Sequence, residues 1–254
     1  CGTTTYSWDA NNRLVGINGF NTDCSSLTAS FKYDALGRRI EKTLNGKTIQ
    51  YLYDGLDIIQ EIENGAVTVN YIRTLNIDEP LALINQDGIY YYIYDGLGSV
   101  IGLTDSSSNE VVQYYYDPFG NTTTTNPSFK NPFQYSGREN DNTGLYFYRA
   151  RYKLGERFIS EDPILKYGNP DIPFLLPYLL RNPKSLNAYI YTLNNPLTHT
   201  DPRGLFVPPF PPIPPGGQSI IPPTPPSDAC CSYAQGTYVG GIVKAACLKA
   251  GDNP

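Results

Sequence analysis

An aromatic pair followed by aspartate and a small turn recurs along the chain, and no other feature restricts the fold as tightly. It reads YSWDANNRLVGI from Tyr6, FKYDALGRRIEKT from Phe31, YLYDGLDIIQEI from Tyr51, YIYDGLGSVIGLT from Tyr92 and YYYDPFGNTTT from Tyr114. The aspartates Asp9, Asp34, Asp54, Asp95 and Asp117 are 25, 20, 41 and 22 residues apart. The 41 is close to two periods, with Tyr71 near the missing anchor. Aromatics at i and i+2, as in Tyr51 and Tyr53, share one face of a strand. The aspartate caps a turn by accepting from backbone N–H groups ahead of it, and a following glycine supplies positive φ. A second strand then returns, such as 39–43 or 58–62. Each repeat therefore reads as a β-hairpin, and Asn45-Gly46, Asn64-Gly65 and Asp87-Gly88 are the turns expected to join one hairpin to the next. A lone hairpin cannot bury its aromatic face, so neighbours must stack into a long sheet.

Composition agrees with many short strands and tight turns: 22 Tyr, 23 Gly and 22 Pro stand among 254 residues. A net charge of −5 disfavours a nucleic-acid partner. The tyrosine stripe, with no basic residues interleaved, reads as core and not as a stacking platform for bases. One histidine excludes any two-imidazole metal site, and no metal or cofactor is expected. The longest uncharged stretch, 204–227, is full of proline, so no membrane span is expected. With no Met, the chain is expected to be a processed product or a segment of something longer. Its five cysteines, Cys1, Cys24, Cys230, Cys231 and Cys247, lie near the two ends without CxxC spacing. Cys1 and Cys24 could close a loop, and an extracellular, secreted or cell-surface address is favoured.

The motifs YDALGRR, YDGLGS and YDPFGN resemble the YD-repeat, or RHS-repeat, family. Residues 131–205, with PFQYSGRENDNTGLYFYRARYKLGERFISEDP at one end and LNAYIYTLNNPLTHTDPRGL at the other, are similar to the RHS repeat-associated core domain. The resemblance implies an all-β fold: stacked hairpins forming a spiralling sheet or shell, then a mixed core or plug, then a Pro-rich extended tail. The expected divisions are 1–126 (repeats), 127–205 (core domain), 206–227 (Pro-rich linker) and 228–254 (a short Cys-containing segment).

The resemblance also implies a function. In relatives of this kind, bacterial-type proteins of the polymorphic-toxin class, the core is an intramolecular aspartic protease. It cuts after the DPxGL motif and leaves the variable segment inside the shell. Carried over, Asp162 of SEDP is the catalytic aspartate, Asp201 of DPRGL its partner, and Leu205–Phe206 the scissile bond. ARYKLGERF replaces the usual ARYYDPxxGRF, so either Arg151 or Arg149 matches the supporting arginine. No turnover of external substrates is expected. Hydrolysis by carboxylates needs one acid and one base in a shared site, and 39 residues separate Asp162 from Asp201, so only the fold could join them. On spacing alone, Asp-Pro dipeptides are turn starters and both residues read as structural.

Other residues read plainly. The repeat aspartates are turn caps, His199 a rim residue, and Arg138 and Glu139 a structural pair. The insert 164–185, with PFLLPYLL, is expected to form a packed loop. The tail holds ten prolines in 206–227 and neither His nor Glu, so it is not itself expected to be an enzyme. Partners are expected to be upstream repeats of the same protein, neighbouring subunits, or C-terminal cargo. The alternative function is a non-catalytic structural subunit of an extracellular filament or surface assembly, its tail packing on a neighbour.

Overall fold

The computed structural model describes residues 2–21, 23–166, 169 and 172–205. Within them the chain is nearly all β. Twelve antiparallel strands follow one another in chain order, each paired with the next. They are β1 (Thr5–Trp8), β2 (Leu14–Phe20), β3 (Ser26–Tyr33), β4 (Arg39–Leu44), β5 (Lys47–Asp54), β6 (Asp57–Glu63), β7 (Ala66–Arg73), β8 (Pro80–Asn85), β9 (Gly88–Tyr94), β10 (Val100–Asp105), β11 (Glu110–Tyr116) and β12 (Thr122–Thr124). A second, four-stranded sheet comprises β13 (Glu139–Asn140), β14 (Tyr146–Tyr148), β15 (Arg151–Leu154) and β16 (Arg157–Phe158). The expected Pro-rich linker, the C-terminal segment, and Cys1, Cys230, Cys231 and Cys247 lie outside the described residues. Cys24 is disulfide-bonded.

The repeat aspartates cap turns as their position implies. Asp34 Oδ1 accepts from the amides of Leu36 and Arg38, each at 2.9 Å, and Asp9, Asp95 and Asp117 accept from the second and fourth residues ahead in the same way. The loop is three residues long and closes on a positive-φ residue: Asn12, Gly37, Gly98 or Gly120. This is a type I turn with a bulge, and it shifts the strand register at the aspartate end of β3–β4. Asp105 caps an identical turn through Ser107 and Asn109. At the missing anchor near Tyr71, Thr74 Oγ1 accepts from Asn76 and takes the role of aspartate.

Two turns depart from expectation. Asp54 does not cap a three-residue loop: it pairs with Asp57 across the two-residue turn Gly55-Leu56. The turn assigned to Asp87-Gly88 falls one residue earlier. Asn85 pairs with Gly88, and Asn85 Oδ1 accepts from the amides of Asp87 and Gly88. An asparagine side chain here supplies the cap, so no left-handed Asn-Gly pair is needed. Asn45-Gly46 and Asn64-Gly65 both have positive φ at both residues, as the expected hairpin turns require.

Burial follows the alternation. Tyr51, Tyr71, Tyr92 and Tyr114 lie on one face with Leu83, Leu103 and Val112, while Leu52, Ile72, Tyr91 and Tyr115 are exposed on the other. The second tyrosine of a repeat lends its hydroxyl to the backbone. Tyr33, Tyr53, Tyr94 and Tyr116 donate to the carbonyls of Leu14, Arg39, Pro80 and Val100, each the first residue of the preceding strand. A buried phenol needs such a partner, and one tie per hairpin fixes the stacking of the next.

The four-stranded sheet covers part of this face. Leu145, Phe147 and Tyr152 pack with Leu14, Ile17, Leu27 and Phe31. Buried Arg39 pairs with buried Asp141, whose other oxygen is 3.1 Å from Lys42 Nζ. The insert forms no packed loop. Ile172–Arg181 is a ten-residue α-helix, α1, with Pro177 inside it. Pro177 removes one backbone hydrogen bond from its interior. Leu179 is buried, while Leu176 and Leu180 remain exposed.

Candidate functional site

Arg151 opens β15 and is 1% exposed. Its Nη2 lies 2.9 Å from Asp162 Oδ2 and 3.2 Å from Asp201 Oδ2. Nη1 donates to Ala188 O at 3.0 Å, and Nε donates to the carbonyl of Gly204. The ring of Phe158, from β16, lies 3.6 Å from the guanidinium carbon. Five groups thus surround one planar cation, which suits arginine and no other side chain.

The two carboxylates arrive by turn chemistry. Asp162 caps the 3-10 turn Pro163–Leu165, with Oδ1 accepting from Ile164 N at 3.0 Å, and its own amide donates to Ala188 O. Asp201 caps the last described turn. Its Oδ1 accepts from Leu205 N at 3.0 Å, and its carbonyl accepts from Gly204 N at 3.2 Å. Asp162 and Asp201 are 2% and 8% exposed. Burial pushes the Asp201 carboxyl above the usual range, the charge of Arg151 opposing and that of Asp162 adding. Burial likewise pulls Arg151 below its ordinary value against both carboxylates.

Gly204 is irreplaceable on steric grounds. Its φ is +64, and a Cβ there would lie 2.1 Å from Tyr148 O and 3.1 Å from Arg151 N. The backbone at 203–204 therefore touches the β14–β15 turn directly, and Ala150 N donates to Arg203 O at 3.2 Å. Phe206, the far side of the expected scissile bond, lies outside the described residues.

Arg149 is not part of this cluster. It points to the repeats, with Nη2 at 2.7 Å from Asp78 Oδ1 and 2.9 Å from Asp57 Oδ1, and Nη1 on Asp78 Oδ2 and Pro202 O. Of the two arginines left open by the sequence, Arg151 is the one that meets the carboxylates. Arg138 pairs with Glu139, as expected of a structural pair, and also with Asp78. His199 is exposed, its Nδ1 2.6 Å from Thr198 Oγ1.

Sequence reasoning passed over Lys153. It is 1% exposed, and its Nζ donates to Phe119 O and Gly155 O among the rings of Tyr135, Tyr146, Tyr148 and Tyr191, all within 5.9 Å. Burial lowers this lysine to about 8. The signal was present: Lys153 stands where ARYKLGERF breaks the family pattern. Among the described residues, no group of three or more His, Cys, Asp or Glu side chains could hold a metal, and no helix is long and apolar enough to cross a membrane.

Comparison with known proteins adds to this geometry. The Teneurin YD-shell family model matches residues 25–197. The tRNA nuclease WapA of Bacillus subtilis strain 168 is 34% identical over 215 residues, covering 81% of this chain and 9% of that protein. The toxin subunit YenC1 of Yersinia entomophaga is 26% identical over 232 residues, 79% of this chain and 22% of the other. The solved structure of TcdB2-TccC3 superposes with a TM-score of 0.57 at 23% identity, over 80% of this chain and 10% of that one, a likeness of fold. The chain spans only 9% of the length of WapA.

Proposed function

The chain belongs to the teneurin YD-shell family, and from that premise we propose that it is the end of an RHS-repeat shell with the core that plugs it, in a secreted or cell-surface toxin-like protein. Residues 1–126 form the last repeats of the wall, residues 127–205 the plug, and the segment from Phe206 is separated by self-cleavage after Leu205. One observation carries the reading: a single buried guanidinium, Arg151, holds Asp162, Asp201 and the exit carbonyl of Gly204.

Burial disfavours the ionised form of Asp201, so this carboxyl keeps its proton more readily than a free one. Asp201, raised by burial, takes the acid role and Asp162 the base. Asp162 accepts a proton from a water whose oxygen bonds the carbonyl carbon of Leu205. Asp201 gives its proton to the nitrogen of Phe206 as that carbon–nitrogen bond breaks. Because the substrate is the same chain, its local concentration is high and one turnover suffices. The nuclease activity in the name of WapA is not carried over, since the chain covers so little of that protein and the segment after Leu205 holds neither histidine nor glutamate.

A second reading takes the same cluster as a lock. Asp162 already caps Ile164 and Asp201 already caps Leu205, as aspartates of plain turns do. The chain would then be a non-catalytic subunit of an extracellular assembly, partnered by neighbouring subunits. Intact mass of wild type and Asp162→Asn decides between them. Self-cleavage yields a fragment ending at Leu205 in wild type and at least about a hundredfold less per unit time in the variant. No fragment in wild type sinks self-cleavage and leaves the lock.

A further inference from the structure

Arg149 occupies the two-residue turn between β14 and β15, at φ +55, a conformation that glycine adopts freely and a residue with a side chain only at a cost. The guanidinium it projects has three sets of partners. From the β5–β6 turn comes Leu56 O, at 3.4 Å from Nε, and from the start of β6 comes Asp57 Oδ1. From the loop between β7 and β8 comes Asp78, which takes both terminal nitrogens in a fork. From the exit segment comes the carbonyl of Pro202. Arg149 thus touches the repeat sheet and the DPRGL segment at once. Two residues on, Arg151 holds the same segment at Gly204 and Asp201.

We propose that Arg149, gripped by Asp57 and Asp78, is a positioning residue through which the folded repeat sheet sets the geometry of the exit segment. It touches neither carboxylate of the Arg151 cluster and acts through the backbone at Pro202. If β5–β8 are not in place, Asp57 and Asp78 are not side by side, and Pro202 loses its anchor. Gly204 and Leu205 are then held from one side only. The consequence for chemistry rests on the self-cleavage reading: the cut becomes conditional on an assembled wall, because a small misplacement of reacting atoms is costly in rate.

The test uses the full chain with Arg149→Lys, Asp57→Asn and, as control, Lys47→Gln at the exposed Lys47–Glu63 pair. Lysine keeps the charge but cannot make the fork. Amide exchange at Gly204 and Leu205 is expected to quicken by about tenfold or more in the first two variants, while the amides of Phe31 and Leu103 stay as protected as in wild type. The fragment ending at Leu205 is expected to form about ten times more slowly or worse, with no change in Lys47→Gln. Unchanged exchange at Gly204 and Leu205 in both Arg149→Lys and Asp57→Asn overturns the proposal, as does an equal effect in the control. Should Arg149→Lys fail to fold, Arg149→Gln, which removes the fork without leaving an unpaired charge, decides in its place. If wild type produces no fragment, the cleavage reading falls while the exchange measurement still judges the positioning role.

Discussion

In the twelve-stranded sheet a charged turn residue finds its partner four positions away, as Arg13 does with Asp9 and Arg38 with Asp34. Charges around the four-stranded sheet also reach partners far along the chain, on the repeats: 60 positions from Arg138 to Asp78, 92 from Arg149 to Asp57, 102 from Asp141 back to Arg39. The first kind of bond closes as soon as a hairpin forms. The second closes only when the two sheets meet. Local pairs cost little entropy to assemble and stabilise little, because they are partly solvated. Distant buried pairs are costly to leave half made. The local pairs need only their own hairpin, whereas Asp141 and Arg149 meet their charged partners only across the two sheets.

The largest expected effect comes from breaking a distant pair. Asp141→Asn leaves Arg39 and Lys42 buried without their carboxylate, and urea unfolding is expected to show a loss of about 3–5 kcal/mol. A loss under about 1 kcal/mol would erase the contrast between the sheets. Next comes Lys153. Unfolded, it holds its proton to about pH 10.5; folded, only to about pH 8. Between those values Lys153 holds more proton in the unfolded chain, so its own contribution to stability rises with pH, by an amount on the order of 3 kcal/mol. Chemical denaturation at pH 7.5 and pH 9, below the range where the buried tyrosines titrate in the unfolded chain, should show wild type gaining stability relative to Lys153→Met by about 1 kcal/mol. The smallest effects belong to the local pairs. Asp34→Ala removes a turn cap and is expected to cost about 1 kcal/mol, and Lys47→Gln under about 0.5 kcal/mol.

The same contrast explains what the sequence discloses. Aromatic alternation and Asp caps are local, so the hairpins at Asp9, Asp34, Asp95 and Asp117 could be read directly. The turns at Thr74, Asn85 and Asp105 escaped because one side-chain oxygen of any of several residue types can cap a turn. Asp162, Asp201 and Arg151 were legible only through a family resemblance, since nothing in their spacing places them together. Whether Arg149 or Arg151 meets the carboxylates depends on which of them lies in the β14–β15 turn, a difference of two residues. Asp57 and Asp78 carried no signal at all, because their partner is an arginine on another sheet.

By their own bonds the hairpins look interchangeable, yet the core addresses each one differently. Tyr33 meets Tyr152, Arg39 meets Asp141, Asp57 and Asp78 meet Arg149, Tyr92 meets Asn131, Ser99 meets Ser136, and Phe119 meets Lys153. Recombination that copied one hairpin between Leu14 and Tyr116 would put every later address out of step. The six distinct contacts thus fix the order and number of the hairpins between them.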